Sequence, residues 1–138
     1  MIDLLEGDKF PKKKLITDFI FCDYIFFLFQ SLIVESGDVY TWGRNTYGQL
    51  GKSKEQLDFR PSKVPLLENI KHIVAGSEHS MALDKNGELW IWGWNEHGSC
   101  GNGTQTDQYF PQNITHYFEG KIDSIGSGAG HCFAWVQS

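Results

Sequence analysis

The sequence predicts an all-β fold assembled from two copies of one antiparallel strand-and-loop unit, preceded by an apolar segment that belongs to neither copy. Three observations carry this. Val39 to Gly51, V-Y-T-W-G-R-N-T-Y-G-Q-L-G, is answered by Leu89 to Gly101, L-W-I-W-G-W-N-E-H-G-S-C-G. Trp42, Gly43, Asn45, Gly48 and Gly51 recur as Trp92, Gly93, Asn95, Gly98 and Gly101 at a constant offset of fifty residues. Short β-branched and aromatic runs alternate with Gly- and Asn-rich loops, and no segment after residue 35 carries an amphipathic helical stripe.

Composition narrows the function classes. With 41% hydrophobic and 14% aromatic residues in 138, the chain can bury one ordinary core, which excludes disorder through lack of apolar surface. A net charge of −5 gives no basic footprint for a phosphate backbone, so nucleic acid is not expected as a partner. Cys22, Cys100 and Cys132 are odd in number and lack a C-x-x-C pair, which points to a reducing compartment, the cytoplasm or the nucleus. His97 with Cys100, and His131 with Cys132, do not make the two ligand pairs of a structural zinc site, so no metal is expected.

Residues 1–30 read as a leader outside the repeat. Met1 to Lys14 is polar and ends in Pro11-Lys12-Lys13-Lys14, a solvated end. Leu15 to Val34 is twenty residues rich in Phe, Ile and Leu, long enough to span a bilayer as a helix. Against that, Asp18 and Asp23 each cost about 2.5 to 3.5 kcal/mol near a bilayer centre, while each Leu, Ile or Phe returns roughly 0.3 to 0.6. Ser31 to Val34, followed by Glu35-Ser36-Gly37, also reads as a strand and turn leading into the repeat. If the repeat claims it, only 15–29 remains apolar, short of a span; folding back over an open sheet face is then its expected role. The alternative is a membrane-anchored repeat protein with a spanning helix near 15–34. Asn102-Gly103-Thr104 and Asn113-Ile114-Thr115 fit the glycosylation sequon and matter only under that alternative.

Residues 31–138 hold the two repeats, 37–86 and 87–138. Val39 to Trp42 alternates as a strand, and Gly43 to Gly51 is a loop. Lys52 to Leu67, with Pro61 and Pro65, reads as a surface connection. Ile70 to Ala75 is the next strand, Gly76 to His79 a turn, Ser80 to Leu83 a third strand, and Asn86-Gly87 a type I′ hairpin turn into Leu89 to Trp92. The second copy repeats the plan: a loop through Gly101 and Gly103, a polar connection with Pro111, a strand over Ile122 to Ile125, a Gly-rich turn to His131, and a last strand over Cys132 to Val136.

The pattern G-x-V/L-Y/W-x-W-G-x-N-x-x-G-x-x-G, a Pro-containing connection and then A-G-x-x-H-S-x-A-L resembles the regulator of chromosome condensation repeat. Trp92 to Gly101, with Gly128-Ala129-Gly130-His131, looks most like the last blades of a member that acts as a guanine nucleotide exchange factor. The resemblance runs from about Ser31 to Trp135. It implies a seven-bladed β-propeller, each blade a four-stranded antiparallel sheet, of which about two blades are present. It also implies a protein partner, a small GTPase or a secretory-pathway protein, with no cofactor and no covalent chemistry. Departures are that Gln30 stands where the family has a His and that Leu15 to Phe29 matches nothing in the repeat. The chain thus reads as a truncated, alternatively started or mis-spliced product carrying the C-terminal part of a propeller, a form in which exchange activity is doubtful because most of the docking surface is missing.

A structural role is expected for the positions the repeat shares or echoes: Trp42, Gly43, Gly48, Gly51, Gly76, His79, Trp92, Gly93, Gly98, Gly101 and His131. A catalytic reading of His79 and His131 is weaker than a hydrogen bond to neighbouring backbone, because a repeated position serves the architecture. Cys100 with His97 as a hydrolytic thiolate pair lacks a third, orienting group, and the loops lack G-x-x-x-x-G-K-[ST] for phosphate. No catalytic residue is assigned. Glu78, Trp94, Asn95, Glu96 and His97 lie on loops at the expected blade edges, where a partner would touch.

Overall fold

The computed structural model describes residues 29–137 and, as backbone alone, Ile16–Phe21. The strands are β1 (Ile16–Phe21), β2 (Phe29–Val34), β3 (Val39–Arg44), β4 (Leu57–Lys63), β5 (Ile70–Ala75), β6 (His79–Asp84), β7 (Leu89–Gly93), β8 (Gln108–Asn113), β9 (Lys121–Ser127) and β10 (Cys132–Gln137). One 3-10 turn, Thr115–Tyr117, follows β8. They form two four-stranded antiparallel sheets, β1-β2-β3-β4 and β5-β6-β7-β8, and a two-stranded sheet of β9 and β10. Strand β5 lies against both β1 and β9, so the first strands of successive sheets are neighbours, as in blades around an axis.

The sequence repeat is out of phase with these sheets. Residues 37–86 hold β3 to β6, the last two strands of one sheet and the first two of the next, and 87–138 hold β7 to β10. Each copy therefore joins two blades covalently.

The middle sheet is covered on both faces, and side-chain alternation divides it between two cores. Trp92 and Ala82 pack with Ile33, Val39, Val64, Leu67, Ile70 and Ile73 towards the first sheet. Leu89, Ile91, Met81 and Leu83 pack with Cys100, Ile114 and Ile122 towards the third. All six residues of β6 are consequently buried.

Four sequence expectations are corrected. The connections 52–67 and 102–121 each contain a strand, β4 and β8. Both are outer strands, and Pro61 and Pro111 fall where their register shifts, an edge-strand irregularity that tolerates proline, so the polar, Pro-bearing sequence hides them. The stretch near 15–34 is not a spanning helix: β1 pairs antiparallel with β2, and among the described residues no helix is long and apolar enough to cross a membrane. Nor does 16–21 fold over a sheet face; it adds edge-on as the first strand of its sheet. The expected leader over 1–14, Leu15 and residues 22–28 lie outside the described residues.

Two local readings also change. Gly87 has φ 85° while Asn86 does not have positive φ, so the turn is not type I′. Gly87 N–H bonds Asp84 O, and Asp84 Oδ1 accepts from Asn86 and Glu88 N–H, which makes a type I turn closed by a left-handed glycine. Phe29, not Gln30, is the counterpart of His79, since Phe29 faces Gly43 across the ladder as His79 faces Gly93.

Candidate functional site

The loops after β3 and β7 are held by one repeated device. Asn45 is fully buried; its Nδ2 donates to Ser53 O and Glu55 O, and its Oδ1 accepts from Leu50 N–H. Asn95 does the same one repeat later, donating to Thr104 O and Thr106 O and accepting from Cys100 N–H. Asn95 is fully buried, so its amide has nothing left to offer a partner.

Of the remaining expected contact residues, Trp94, Glu96 and His97 are carried by the second of these loops and Glu78 by the turn beside it. Glu96 and His97 are exposed at the tip of the β7–β8 loop, and the half-buried Trp94 meets the His97 ring edge-on at 5.1 Å. Glu78 sits on the β5–β6 turn beside them, its carbonyl accepting from Trp94 N–H at 2.8 Å. Its carboxylate reaches across to the first sheet, where Arg44 lies 3.3 Å away. Burial raises the Glu78 pKa, with the charge of Asp107 adding to it against the pull of Arg44. Arg44 also stacks over Tyr47 at 5.7 Å. Sequence reading passed over Arg44 because its partner is 34 residues away. The surface is thus a mixed one, with acidic, cationic and aromatic groups drawn from two blades.

The His and Cys side chains are built into the frame. His79 is fully buried, its Nε2 3.1 Å from Ser127 Oγ on β9 and its Nδ1 without a hydrogen-bond partner among the described residues. The expected backbone bond is therefore replaced by a side-chain bond between sheets. Burial, helped by nearby His131, lowers its pKa to about 4, so it is neutral near pH 7. His131 stands edge-on to Phe133 on the third sheet. Cys100 is fully buried, facing the carbonyls of Gly93 and Trp94, and burial pushes its thiol up to about 12. His97 packs on Trp94, so the structure gives no activated thiolate pair.

Indole groups serve the sheet interface. Trp92 is fully buried and donates Nε1–H to Gln49 O at 2.9 Å. Gly51, at φ 72°, makes room for it: a methyl group there would lie 2.8 Å from that nitrogen. Trp90 packs beside the same core, and the half-buried Trp42 beside Leu32, Val34 and Tyr40.

An open depression of about 350 Å³ is lined by Lys52, Ser53, Glu55, Asp58, Ser62, Lys63 and Pro65. The Lys52 ammonium within it already donates to Thr41 O and Ser62 Oγ and pairs with Asp58, so it is not a free anion site. Among the described residues no three His, Cys, Asp or Glu side chains gather as metal ligands.

Comparison with known proteins matches the Regulator of chromosome condensation (RCC1) repeat over residues 36–83 and again over 86–135. The ultraviolet-B receptor UVR8 of Arabidopsis thaliana is 35% identical over 101 residues, covering 72% of this chain and 23% of the receptor. The secretion-regulating guanine nucleotide exchange factor of Bos taurus is 37% identical over 122 residues, covering 74% of this chain and 26% of that protein. The yeast RCC1 protein Prp20, in its crystal structure with Kap60, shares the fold at a TM-score of 0.78 and 21% identity, over 94% of this chain and 32% of that one. The chain spans about a quarter of the length of these two curated relatives.

Proposed function

The chain belongs to the RCC1 repeat family of β-propellers, and from that premise we propose that its loop face docks a small GTPase non-covalently. The observation that carries this is the division of labour within the loops. Asn45 and Asn95 fix the loop backbones from inside, while Trp94, Glu96 and His97 are carried on the Asn95 loop, with Glu78 on the adjoining β5–β6 turn and Arg44 at hand. Such a mixed rim around an aromatic suits a protein partner, because the aromatic supplies contact area and the charges supply orientation. The bovine relative named as an exchange factor supports a GTPase as the partner class. An exchange factor acts by binding the nucleotide-free GTPase more tightly than the loaded one, which needs no nucleophile and no cofactor. Since this chain spans about a quarter of that relative, binding without appreciable exchange is the expected behaviour.

The test is titration of the full chain against secretory-pathway small GTPases, each prepared nucleotide-free and GDP-loaded. Tighter binding to the nucleotide-free form, weakened about tenfold by Trp94→Ala or by Glu96→Lys with His97→Ala, supports the reading. Equal affinity for both forms, or no binding to any of them, would sink it.

A further inference from the structure

We propose that Cys100 and Cys132 are a redox pair, which sustained oxidation closes into a disulfide tying the β7–β8 loop of the middle sheet to β10 of the third. Both side chains belong to one core. Cys100 is fully buried with Met81, Ile91, Ile114 and Ile122, and the half-buried Cys132 packs against the same cluster. The backbones beside them are already joined: Ser99 Oγ donates to Gly130 O at 3.2 Å, and Ser77 N–H donates to Ala129 O at 2.9 Å.

The contact between the first two sheets shows how these two positions approach. Leu50 is the counterpart of Cys100, its N–H donating to Asn45 Oδ1 as that of Cys100 donates to Asn95 Oδ1. Ser80 is the counterpart of Cys132, since each follows a histidine whose ring lies over a glycine three residues before it, His79 over Gly76 and His131 over Gly128. There the Ser80 hydroxyl crosses between sheets and donates to Gln49 O at 3.2 Å, the carbonyl of the peptide bond that leads into Leu50. A side chain at this place on the strand therefore lands beside the loop position. Leucine and serine can only pack and hydrogen-bond there, whereas two cysteines can form a covalent bond. Burial, and after it the nearness of Cys132, holds the Cys100 thiol up, so the two sulfurs are within electrostatic reach of one another.

The reaction balances with hydrogen peroxide as the oxidant. Cys132 is the more accessible to solvent, and its sulfur attacks one peroxide oxygen. The O–O bond breaks, leaving a sulfenic acid, and the departing hydroxide leaves as water with the thiol proton. The Cys100 sulfur then attacks the Cys132 sulfur; the S–O bond breaks, and the oxygen departs as a second water with the Cys100 proton. Two thiols lose two electrons and one peroxide is reduced to two waters. Because burial leaves little thiolate at neutral pH, the pair answers prolonged exposure rather than a brief pulse. The bond would fasten the loop that carries Trp94, Glu96 and His97. Its formation does not depend on the docking reading above; only its effect on a GTPase partner does.

The experiment uses the full chain with Cys22→Ser, which removes the third cysteine. It is held in hydrogen peroxide for hours, then quenched, and either digested without reductant or followed by amide hydrogen exchange. The expected product is an intramolecular cross-link between the Cys100 and Cys132 peptides, reversed by dithiothreitol, with exchange at 96–101 slowed about tenfold or more. Cys132→Ser and, separately, Cys100→Leu place at these positions the residues of the first contact, Ser80 and Leu50. Both variants should melt cooperatively before oxidation and lose the cross-link and the slowing together. Cysteines that end as separate sulfinic acids, or cross-linked only between chains, would overturn the proposal. So would a cross-link that forms only after denaturation, or equal slowing in either variant.

Discussion

The Trp92 indole Nε1–H donates to the backbone carbonyl of Gln49 at 2.9 Å, a bond that spans 43 residues and joins the first two sheets. Ser80 Oγ donates to the same carbonyl at 3.2 Å, so the β3–β4 loop is pinned from two strands of the next blade. Full burial of an indole at this point removes roughly 150 to 250 Å² from water, a gross gain of about 4 to 6 kcal/mol.

Trp92→Ala is therefore expected to cost about 3 to 5 kcal/mol of folding stability. Trp92→Phe, which keeps most of the ring but not the donor, should cost less, with about 1 kcal/mol of the loss due to the hydrogen bond. Urea denaturation of the two variants separates these contributions. A Trp92→Ala chain as stable as the wild type would show that the two sheets do not rely on this contact.

The buried amides of Asn45 and Asn95 each close a loop through both ends of the side chain. Asn45→Ala or Asn95→Ala leaves a buried N–H, that of Leu50 or Cys100, without its acceptor. Each should destabilise the chain by about 2 to 4 kcal/mol. Denaturation midpoints report the size, and hydrogen exchange at Leu50 or Cys100 reports the location.

His79 makes stability depend on pH. Its folded pKa, about 4, lies below the ordinary value of 6.5, because burial and nearby His131 disfavour the charged ring. The unfolded chain therefore binds more protons between these two values, and stability is full above pH 6.5 and falls as pH drops towards 4. The total effect is on the order of 3 kcal/mol. His79→Phe places at this position the residue that the first sheet has there, Phe29. It should flatten the melting-temperature profile between pH 6.5 and 4; a profile as steep as that of the wild type would exclude His79 as the cause.

Cys100 and Cys132 have thiols held up to about 12, in both cases chiefly by burial. Three pKa units above the ordinary value of 9.0 cut the thiolate fraction at pH 8 on the order of a thousandfold, which slows attack on iodoacetamide. Mass spectrometry of the Cys100 and Cys132 peptides, before and after denaturation, reads this directly. Labelling of native Cys100 at the rate of the denatured chain would contradict its burial.

Much of the architecture was legible because its physical causes are local. The pairing of Trp42 with Trp92, Asn45 with Asn95 and the three glycines of each loop gave the period, and a backbone that turns repeatedly needs those glycines and asparagines wherever the loop occurs. The candidate surface was legible in part. Glu78, Trp94, Glu96 and His97 lie on loops and turns as expected, but Asn95, grouped with them, faces inward, since loop position alone does not say which way an amide points. Arg44 was missed, and so were β4 and β8, whose Pro61 and Pro111 are acceptable only at a sheet's outer edge.

The sequence by itself determined the repeated unit, its all-β character and the residues that shape each loop, because chirality, turn conformation and strand alternation act over a few neighbours. Only the tertiary structure decided which of those repeated residues are covered. Gly51 and Gly101 occupy the same place in the repeat, yet one lies beneath Trp92 and the other is exposed. The same holds for β6 and β10, one enclosed and one presenting Trp135. Burial depends on the sheet that stacks against a unit, and that neighbour is contributed by a distant part of the chain.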